Sequence, residues 1–217
     1  MATNPDSVPS DRPKPETSHK RGNLAAWLVF FAAAIAVGIV FEMSGGEEMG
    51  VRHPAVGHRL PHLELKPLTG NGKAVTLADL DGKVTLIDYW GTWCPPCAEE
   101  FPHIATLAAK YRDRPDFSVL AVSCGGRSAE RFDEIAVETE AFLQSFKIDM
   151  PTYKDPGGFS RRGVDMVAGF AGYPTTIVLD RQGVIRGMWV GYRQGYERQI
   201  EKLVGELLET PATPAGK

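Results

Sequence analysis

Two cysteines stand three residues apart in the segment Trp93-Cys94-Pro95-Pro96-Cys97. On a helix this spacing places the two residues one turn apart, at a Cα separation of about 5–6 Å that a disulfide can bridge. With Cys94 as the N-cap, Pro95 takes the first helical position, where its missing N–H costs no hydrogen bond. Unpaired backbone N–H groups and the helix dipole then favour the thiolate form of Cys94. The pattern predicts reversible dithiol–disulfide chemistry, with Cys94 as the exposed attacking sulfur and Cys97 as the resolving one.

Three other uses of a cysteine pair fit the sequence less well. A zinc site needs a second Cys or His pair, and none stands at ligand spacing. A c-type haem site needs His directly after Cys97, and that residue is Ala98. A purely structural disulfide stays open as an alternative, although so small a loop would constrain the unfolded chain little.

A carboxyl group precedes the pair by six positions. Asp88 stands among Val84, Leu86 and Trp90, an apolar setting. A carboxyl buried without partners prefers its neutral form, so we expect a raised pKa for Asp88. It would then act as general acid and base for Cys97. The alternative is a hydrogen-bonded aspartate at a strand end.

The elements that must position these side chains alternate between strand and helix. Val84–Trp90 is a short apolar run between turn signals, typical of a strand buried on both faces. Apolar residues at helical spacing follow the cysteine pair. The same criteria predict strands at Phe117–Ser123, Thr175–Leu179 and Val184–Val190, and helices within Ala129–Phe146 and Gly195–Leu208. This order predicts an α/β sheet with a parallel centre and an antiparallel edge.

Length and composition limit the class of protein. The 217 residues are 43% hydrophobic and 24% charged, as in a packed globular protein. At about 150 residues per domain, this length predicts one globular domain with additional segments. The formal net charge of −3 gives no electrostatic reason to bind nucleic acid, which we exclude as a partner. The 3 cysteines are too few for a disulfide-stapled miniprotein.

The N-terminal part of the chain predicts a membrane anchor. Residues 1–23 are polar and proline-rich, as in a disordered tail. Residues 24–41 carry no charge, and as a helix they would span about 27 Å, close to the hydrocarbon thickness of a bilayer. We therefore predict a signal anchor there, followed by a flexible tether at 42–57, a globular domain at 58–210 and a disordered tail at 211–217. A cleaved signal peptide and a buried core helix are the alternatives for 24–41.

Charges on either side of this apolar run set its orientation. Four basic residues precede it and three acidic residues follow it: Arg12, Lys14, Lys20 and Arg21 before, and Glu42, Glu47 and Glu48 after. The positive-inside rule places the N-terminus in the cytoplasm and the rest of the chain outside. We predict a single-pass protein of the cell inner membrane with a periplasmic catalytic domain.

Two segments resemble a known family. DYWGTWCPPCAEEFP at 88–102 and GYPTTIVLD at 172–180 are similar to the thioredoxin superfamily, most of all to its membrane-anchored TlpA, ResA and CcmG type. The resemblance implies a thioredoxin fold, with a central mixed sheet flanked by helices. It also implies an N-terminal extension and an insertion between the helix of the cysteine pair and the cis-proline loop, around 123–153.

The resemblance also implies roles for particular residues. The first cysteine of such proteins attacks a partner disulfide and the second releases it. Glu100 matches an acid that ResA-type proteins place beside the active site, with an ordinary solvated glutamate as the alternative. The motif Tyr173-Pro174-Thr175 matches the cis-proline loop, which binds an extended substrate segment. Trp93 and Pro95 would join that loop in the docking surface.

Together these features predict a thiol–disulfide oxidoreductase that acts mainly as a reductant and needs no cofactor. Its expected partners are protein thiols and disulfides. The resemblance implies a membrane thiol carrier as the electron donor and the haem-site cysteines of apocytochrome c as targets. An oxidase or isomerase role stays open, because a Pro-Pro dipeptide between the cysteines does not set the potential.

Two further functions are alternatives. A copper chaperone would use Cys94 and Cys97 with His103, since soft thiolates suit Cu(I). A peroxidase would use the attacking cysteine with Thr92 and Arg127. Cys124, at the end of a predicted strand, is either a third redox thiol or a small buried side chain.

Overall fold

The computed structural model describes residues 27–29, 31–33, 35, 50–125 and 131–211. These divide into two units, one ending at Glu42 and one beginning at Met43. The described residues of the first unit are helical and exposed. Across the described residues of both units, no helix is long and apolar enough to cross a membrane. The rest of the predicted span 24–41, the predicted tail 1–23 and residues 212–217 lie outside the described residues.

The second unit is built on a mixed sheet of seven strands in the order β2-β1-β5-β4-β3-β6-β7. Their bounds are β1 Glu64–Thr69, β2 Val75–Thr76, β3 Val84–Trp90, β4 Phe117–Ser123, β5 Thr152–Lys154, β6 Thr175–Leu179 and β7 Ile185–Val190. Strands β3, β4 and β5 run parallel, whereas β6 and β7 on one side and β1 and β2 on the other pair antiparallel. The predicted parallel centre and antiparallel edge are confirmed, and β7 begins one residue later than predicted.

Four helices cover the sheet: α1 Pro95–Lys110, α2 Phe132–Phe146, α3 Phe159–Ala168 and α4 Tyr196–Glu209. One core cluster joins β3 to α1 and α4, through Leu86, Ile104 and Ile200 among others. A second cluster joins the opposite face of β3 to α3, through Tyr89 and Val164. The segment expected as an insertion, 123–153, supplies α2 and leads into β5. The predicted helix at 129–146 begins at Phe132, with residues 126–130 outside the described part of the chain.

Strand β3 is buried along its whole length, which places its alternate side chains in two different clusters. Leu86 and Trp90 pack on the α1 side, whereas Ile87 and Tyr89 pack on the other. Asp88 lies between Leu86 and Trp90 in this alternation. It therefore faces α1, the helix that carries the cysteine pair.

Residues 50–57 are part of the folded domain. The N–H of Met188 donates to the carbonyl of Gly50 at 3.0 Å, and the N–H of Gly57 donates to the carbonyl of Ile185 at 2.9 Å. Ala55 is fully buried in the core. The predicted tether at 42–57 is therefore wrong for its second half, because main-chain pairing with β7 orders these glycine-containing turns. Residues 42–49 lie outside the described residues.

Replacing Gly50 by alanine should lower the free energy of unfolding by about 1–3 kcal/mol, the usual cost of overpacking a buried site. A Cβ at this position would lie 1.9 Å from Cε2 of Trp189, a buried ring with little room to move. Urea denaturation of the two proteins measures the difference.

The matched control is Gly205→Ala in α4. A Cβ there meets only an ordinary contact, with the Tyr111 hydroxyl at 3.7 Å. Helix propensity then predicts a gain of about 0.5–1 kcal/mol, opposite in sign to the effect at Gly50. Equal effects at the two positions would show that the packing of Gly50 against Trp189 is not tight.

Candidate active site

The cysteine pair lies at the start of α1, shortly after the end of β3. Cys94 is the N-cap of α1, and Pro95 and Pro96 fill the first two helical positions, as the sequence predicts. The N–H of Cys97 donates to the sulfur of Cys94 at 3.3 Å. A sulfur at this point receives a backbone hydrogen bond and the positive end of the helix dipole, both of which stabilise a thiolate once the pair is reduced.

The two sulfurs are joined in a disulfide. Their S–S distance is 2.11 Å and the Cα atoms are 5.2 Å apart, within the separation expected for one helical turn. Cys97 is fully buried, and Cys94 exposes only 4% of its surface. The prediction of an exposed Cys94 is thus wrong in degree: Trp90, Phe101 and Leu143 share its cluster and cover most of it.

Aromatic side chains border the small exposed surface of Cys94. The peptide bond between Tyr173 and Pro174 is cis, as the resemblance implied. The Trp93 ring, 46% exposed, meets the Tyr173 ring edge to face at 5.3 Å, and its Nε1 donates to the carbonyl of Cys124 at 2.9 Å. The Tyr173 hydroxyl accepts from Nη1 of Arg161 at 2.8 Å. Trp93 and Tyr173 thus form a fixed aromatic wall beside the disulfide.

The five predicted substrate-binding residues divide into two groups. Trp93 and Pro95 are exposed and Tyr173 is half-buried, so these three face a docking partner. Pro174 and Thr175 are buried, and the Thr175 hydroxyl donates to the carbonyl of Gly172 at 2.6 Å. The substrate-binding role of Pro174 and Thr175 therefore stays a prediction that concerns the backbone of the loop, because their side chains are buried.

Asp88 and Glu100 are two buried carboxyl groups that share one hydroxyl neighbour. Each is 1% exposed. Thr176 on β6 lies directly opposite Asp88 in the sheet, and its Oγ1 donates to Oε1 of Glu100 at 3.1 Å. Oδ1 of Asp88 and Oε2 of Glu100 have no hydrogen-bond partner within the described residues. The alternative of a solvated Glu100 is thereby excluded.

The surroundings of both carboxyls favour their protonated forms. Burial raises the pKa of Asp88 well above its usual range, and the charge of Glu100 raises it further, against a hydrogen bond with Thr176. Burial likewise raises the pKa of Glu100 to about 7, with the charge of Glu197 adding to the effect and the Thr176 hydrogen bond opposing it. The two groups titrate as a pair, so near neutral pH the site can give or take a proton.

Cys124 directly follows β4 and lies next to the aromatic wall. It is 2% exposed, its carbonyl accepts from Trp93, and its sulfur lies 3.5 Å from the carbonyl of Val122. This placement supports its interpretation as a small buried side chain.

Among the described residues of the two alternative functions, His103 and Thr92 make contacts of other kinds. The His103 ring stacks on Tyr192 at 6.2 Å, and within the described ranges no three His, Cys, Asp or Glu side chains are grouped to hold a metal ion. The Thr92 hydroxyl donates to Oε2 of Glu138 at 3.1 Å. Arg127 lies outside the described residues.

Sequence reasoning did not single out Thr176, Glu197 or Arg161. A usable signal existed for Thr176, since a hydroxyl in a strand that is expected to be buried needs a hydrogen-bond partner. Glu197 and Arg161 carried none, because each meets the site only through the packing of a distant helix.

Comparison with known proteins gives consistent matches. The model of the AhpC/TSA family matches residues 56–188. The thioredoxin-like protein YneN of Bacillus subtilis is 30% identical over 172 residues, which are 77% of this chain and 91% of that protein. The thiol-disulfide oxidoreductase ResA of Bacillus thuringiensis is 26% identical over 152 residues, 70% of this chain and 76% of ResA.

Solved structures share the same arrangement of strands and helices. A candidate thiol:disulfide interchange protein DsbE from Chlorobium tepidum is 29% identical with a TM-score of 0.56, covering 70% of this chain and 97% of that one. A thioredoxin family protein from the same organism, also a thiol:disulfide interchange protein, has a TM-score of 0.55 at 22% identity, with 69% and 95% covered. The second match carries the fold alone.

Proposed function

Since the chain belongs to the AhpC/TSA family and is a thiol–disulfide oxidoreductase with a thioredoxin fold, we propose that it reduces protein disulfides through Cys94 and Cys97. The observation that carries this proposal is the disulfide itself, closed at the N-terminus of α1 beside a cis-proline loop. A purely structural bridge would need neither the aromatic wall nor the two buried carboxyls next to it.

The reaction proceeds in two exchanges. In the reduced protein the Cys94 thiolate attacks one sulfur of the substrate disulfide, forming a mixed disulfide and expelling the other sulfur as a thiolate. Cys97 then loses its proton and attacks the sulfur of Cys94, which reforms the internal disulfide and releases the second substrate thiolate. Two electrons pass from the protein to the substrate.

The carboxyl pair supports the second exchange. Cys97 is fully buried, so its proton needs an acceptor inside the protein. Asp88 faces α1 from β3, and burial raises the pKa of its carboxyl well above the usual range, so it binds a proton more strongly than an ordinary aspartate does. We assign the role of general base for Cys97 to Asp88, with Glu100 as its coupled partner.

The substrate would dock on Trp93, Pro95 and Tyr173. Trp93 and Tyr173 present rigid aromatic surface at little cost in conformational entropy. An extended segment that carries the target cysteine would lie along the loop before β6 and reach Cys94 through its small exposed surface.

We place the domain outside the cytoplasm, held at the inner membrane by residues 24–41. The flanking charges and the uncharged run support this location. A membrane thiol carrier would supply electrons, and apocytochrome c cysteines are candidate targets. The similarity to the thiol-disulfide oxidoreductase ResA supports dithiol–disulfide exchange as the reaction.

Replacing Cys97 by serine in the full chain should trap the physiological partner. Because the second exchange is blocked, the mixed disulfide through Cys94 persists, and mass spectrometry after acid quenching identifies the bound protein. The double variant Cys94→Ser/Cys97→Ser is the matched control and should capture nothing.

The redox state of the unaltered protein in the same cells tests the direction. A reductant is held mainly as the dithiol, which thiol alkylation detects, whereas an oxidase is held mainly as the disulfide. A trap that captures no more than the double variant would overturn the exchange mechanism.

A further inference from the structure

The Thr176 hydroxyl stands between the two buried carboxyls. It is 1% exposed, its residue is the cross-strand neighbour of Asp88, and its Oγ1 donates to Glu100 at 3.1 Å. A hydroxyl carries one proton. It can therefore bond to both carboxyls at once only if it donates to one and accepts from the other. This geometry joins Asp88 and Glu100 by a chain of two hydrogen bonds when one of them is protonated.

A second carboxylate lies nearer the surface, and its negative charge raises the pKa of Glu100. Glu197, at the start of α4, accepts two hydrogen bonds from the N–H of Gly195, at 3.0 and 2.9 Å, and one from the Tyr192 hydroxyl at 3.3 Å. These bonds hold the carboxylate in place. Its side chain is 17% exposed, so water reaches it.

A cleft of about 90 Å³ lies beside Glu197 between α1 and α4. His103, Ile104 and Ile200 line it together with Glu197. A space of this size holds several water molecules next to the carboxylate. The groups that face Glu100 from the packed elements are therefore Asp88 on β3, Thr176 on β6, and Glu197 and Tyr192 from α4 and the turn before it.

We propose that the proton released by Cys97 leaves the protein along Asp88, Thr176 and Glu100, and reaches water at Glu197 in the α1–α4 cleft. In this step the Cys97 S–H bond breaks and Asp88 gains the proton. Asp88 passes a proton to the Thr176 oxygen as Thr176 passes its own to Glu100. Glu100 then releases a proton to water beside Glu197, and no net charge stays on Thr176.

The outlet lies away from the substrate. Tyr173 packs against two core clusters, the one that contains the disulfide and the one on the α3 side of the sheet. Ile104 and Ile200, which line the cleft, belong to the cluster on the opposite face of the sheet. A docked protein that covers Trp93 and Tyr173 therefore leaves the cleft open. Proton release can accompany the second exchange before the substrate departs. This inference rests on the proposed function.

Thr176→Val and Thr176→Ser form a matched pair that tests the relay. Valine keeps the volume and the β-branched shape but removes the hydroxyl, whereas serine retains it. The reduced full-length protein is mixed with a fluorescent peptide disulfide, and the release of the second peptide thiol is followed from pH 5 to 9. We expect release to slow by about a hundredfold with valine, the lower end of the range for loss of acid–base catalysis, and to return close to the parent rate with serine.

The pH profile adds a readout that a structural role would not move. Thr176→Val removes the hydrogen bond to Glu100 and should raise the titration midpoint of that carboxyl. Glu197→Gln removes a neighbouring negative charge and should lower the same midpoint. Glu201→Gln is the control, because Glu201 lines the same cleft but pairs with Lys110 at 2.7 Å. Carboxyl ¹³C NMR follows the midpoints in the disulfide form.

Each outcome tests the proton relay independently of the proposed disulfide reduction. Equal slowing by valine and serine would assign Thr176 a structural role, and no slowing by valine would show that protons take another path. Either result overturns the relay while the Cys97→Ser trap still reports on disulfide exchange. If the titration midpoint of Glu100 is the same in Glu197→Gln and in the parent, Glu197 is not part of the proton path.

Discussion

Disulfide reduction should fall by about three orders of magnitude or more when Cys94 is replaced by serine, as for the loss of other catalytic nucleophiles. The serine hydroxyl at the N-terminus of α1 can accept the same backbone hydrogen bond as the sulfur of Cys94, at 3.3 Å in the present structure. It is not ionised near neutral pH and cannot form a disulfide, so the first exchange has no nucleophile. Reduction of a fluorescent mixed disulfide measures the rate.

Cys124→Ser is the matched control, because it removes a thiol outside the disulfide. Its backbone carbonyl, which holds Trp93, is unchanged by the substitution. We expect turnover within about threefold of the parent, since the side chain takes no part in the two exchanges. Appreciable turnover in Cys94→Ser, or equal losses in both variants, would contradict the assignment of Cys94 as the attacking sulfur.

The oxidised protein should lose about 3 kcal/mol of stability as the pH rises from 5 to 8, through Glu100 alone. Burial raises the pKa of this carboxyl in the folded protein to about 7, from an ordinary value of 4.5. The folded state therefore binds more protons than the unfolded chain in this interval, and the free energy of unfolding falls as the pH rises. Below pH 4.5 both states are protonated and the penalty disappears.

Glu100→Gln should abolish most of this pH dependence and stabilise the protein at pH 8. Glutamine keeps an oxygen that accepts from Thr176 but carries no charge to bury. It also removes the negative charge that raises the pKa of Asp88. Urea denaturation of the disulfide form at pH 5 and pH 8 measures the effect, with the exposed Glu201→Gln as control. Parallel pH profiles for the parent and Glu100→Gln would contradict a raised pKa at Glu100.

Local patterns predicted the central elements of the fold well. The bounds of β3, β4 and β6 match the predicted runs residue for residue, because each run is rich in apolar and β-branched residues and ends at a turn signal. The N-cap position of Cys94 followed from Pro95, since proline is well tolerated at the first position of a helix. The sequence therefore predicts chemistry that depends only on residues within one helical turn.

Features made by distant contacts were not predictable in this way. Glu100 and Thr176 are 76 positions apart, and only the antiparallel pairing of β3 with β6 brings them together. The packing of 50–57 on β7 was missed for a related reason. Its glycines indicate flexibility by composition, whereas main-chain hydrogen bonds to Ile185 and Met188 fix them.

The pairing of residues 50–58 with β7 also bears on how copies of this protein behave when crowded. A terminal strand with open N–H and C=O groups recruits extended chains from neighbouring molecules, a common start of aggregation. Here the incoming chain occupies the N–H of Met188 and Ile185, and the opposite border of the sheet is β2, a strand of two residues. Neither border offers a long template for another copy. The domain can then reach a high concentration without pairing edge to edge with other copies.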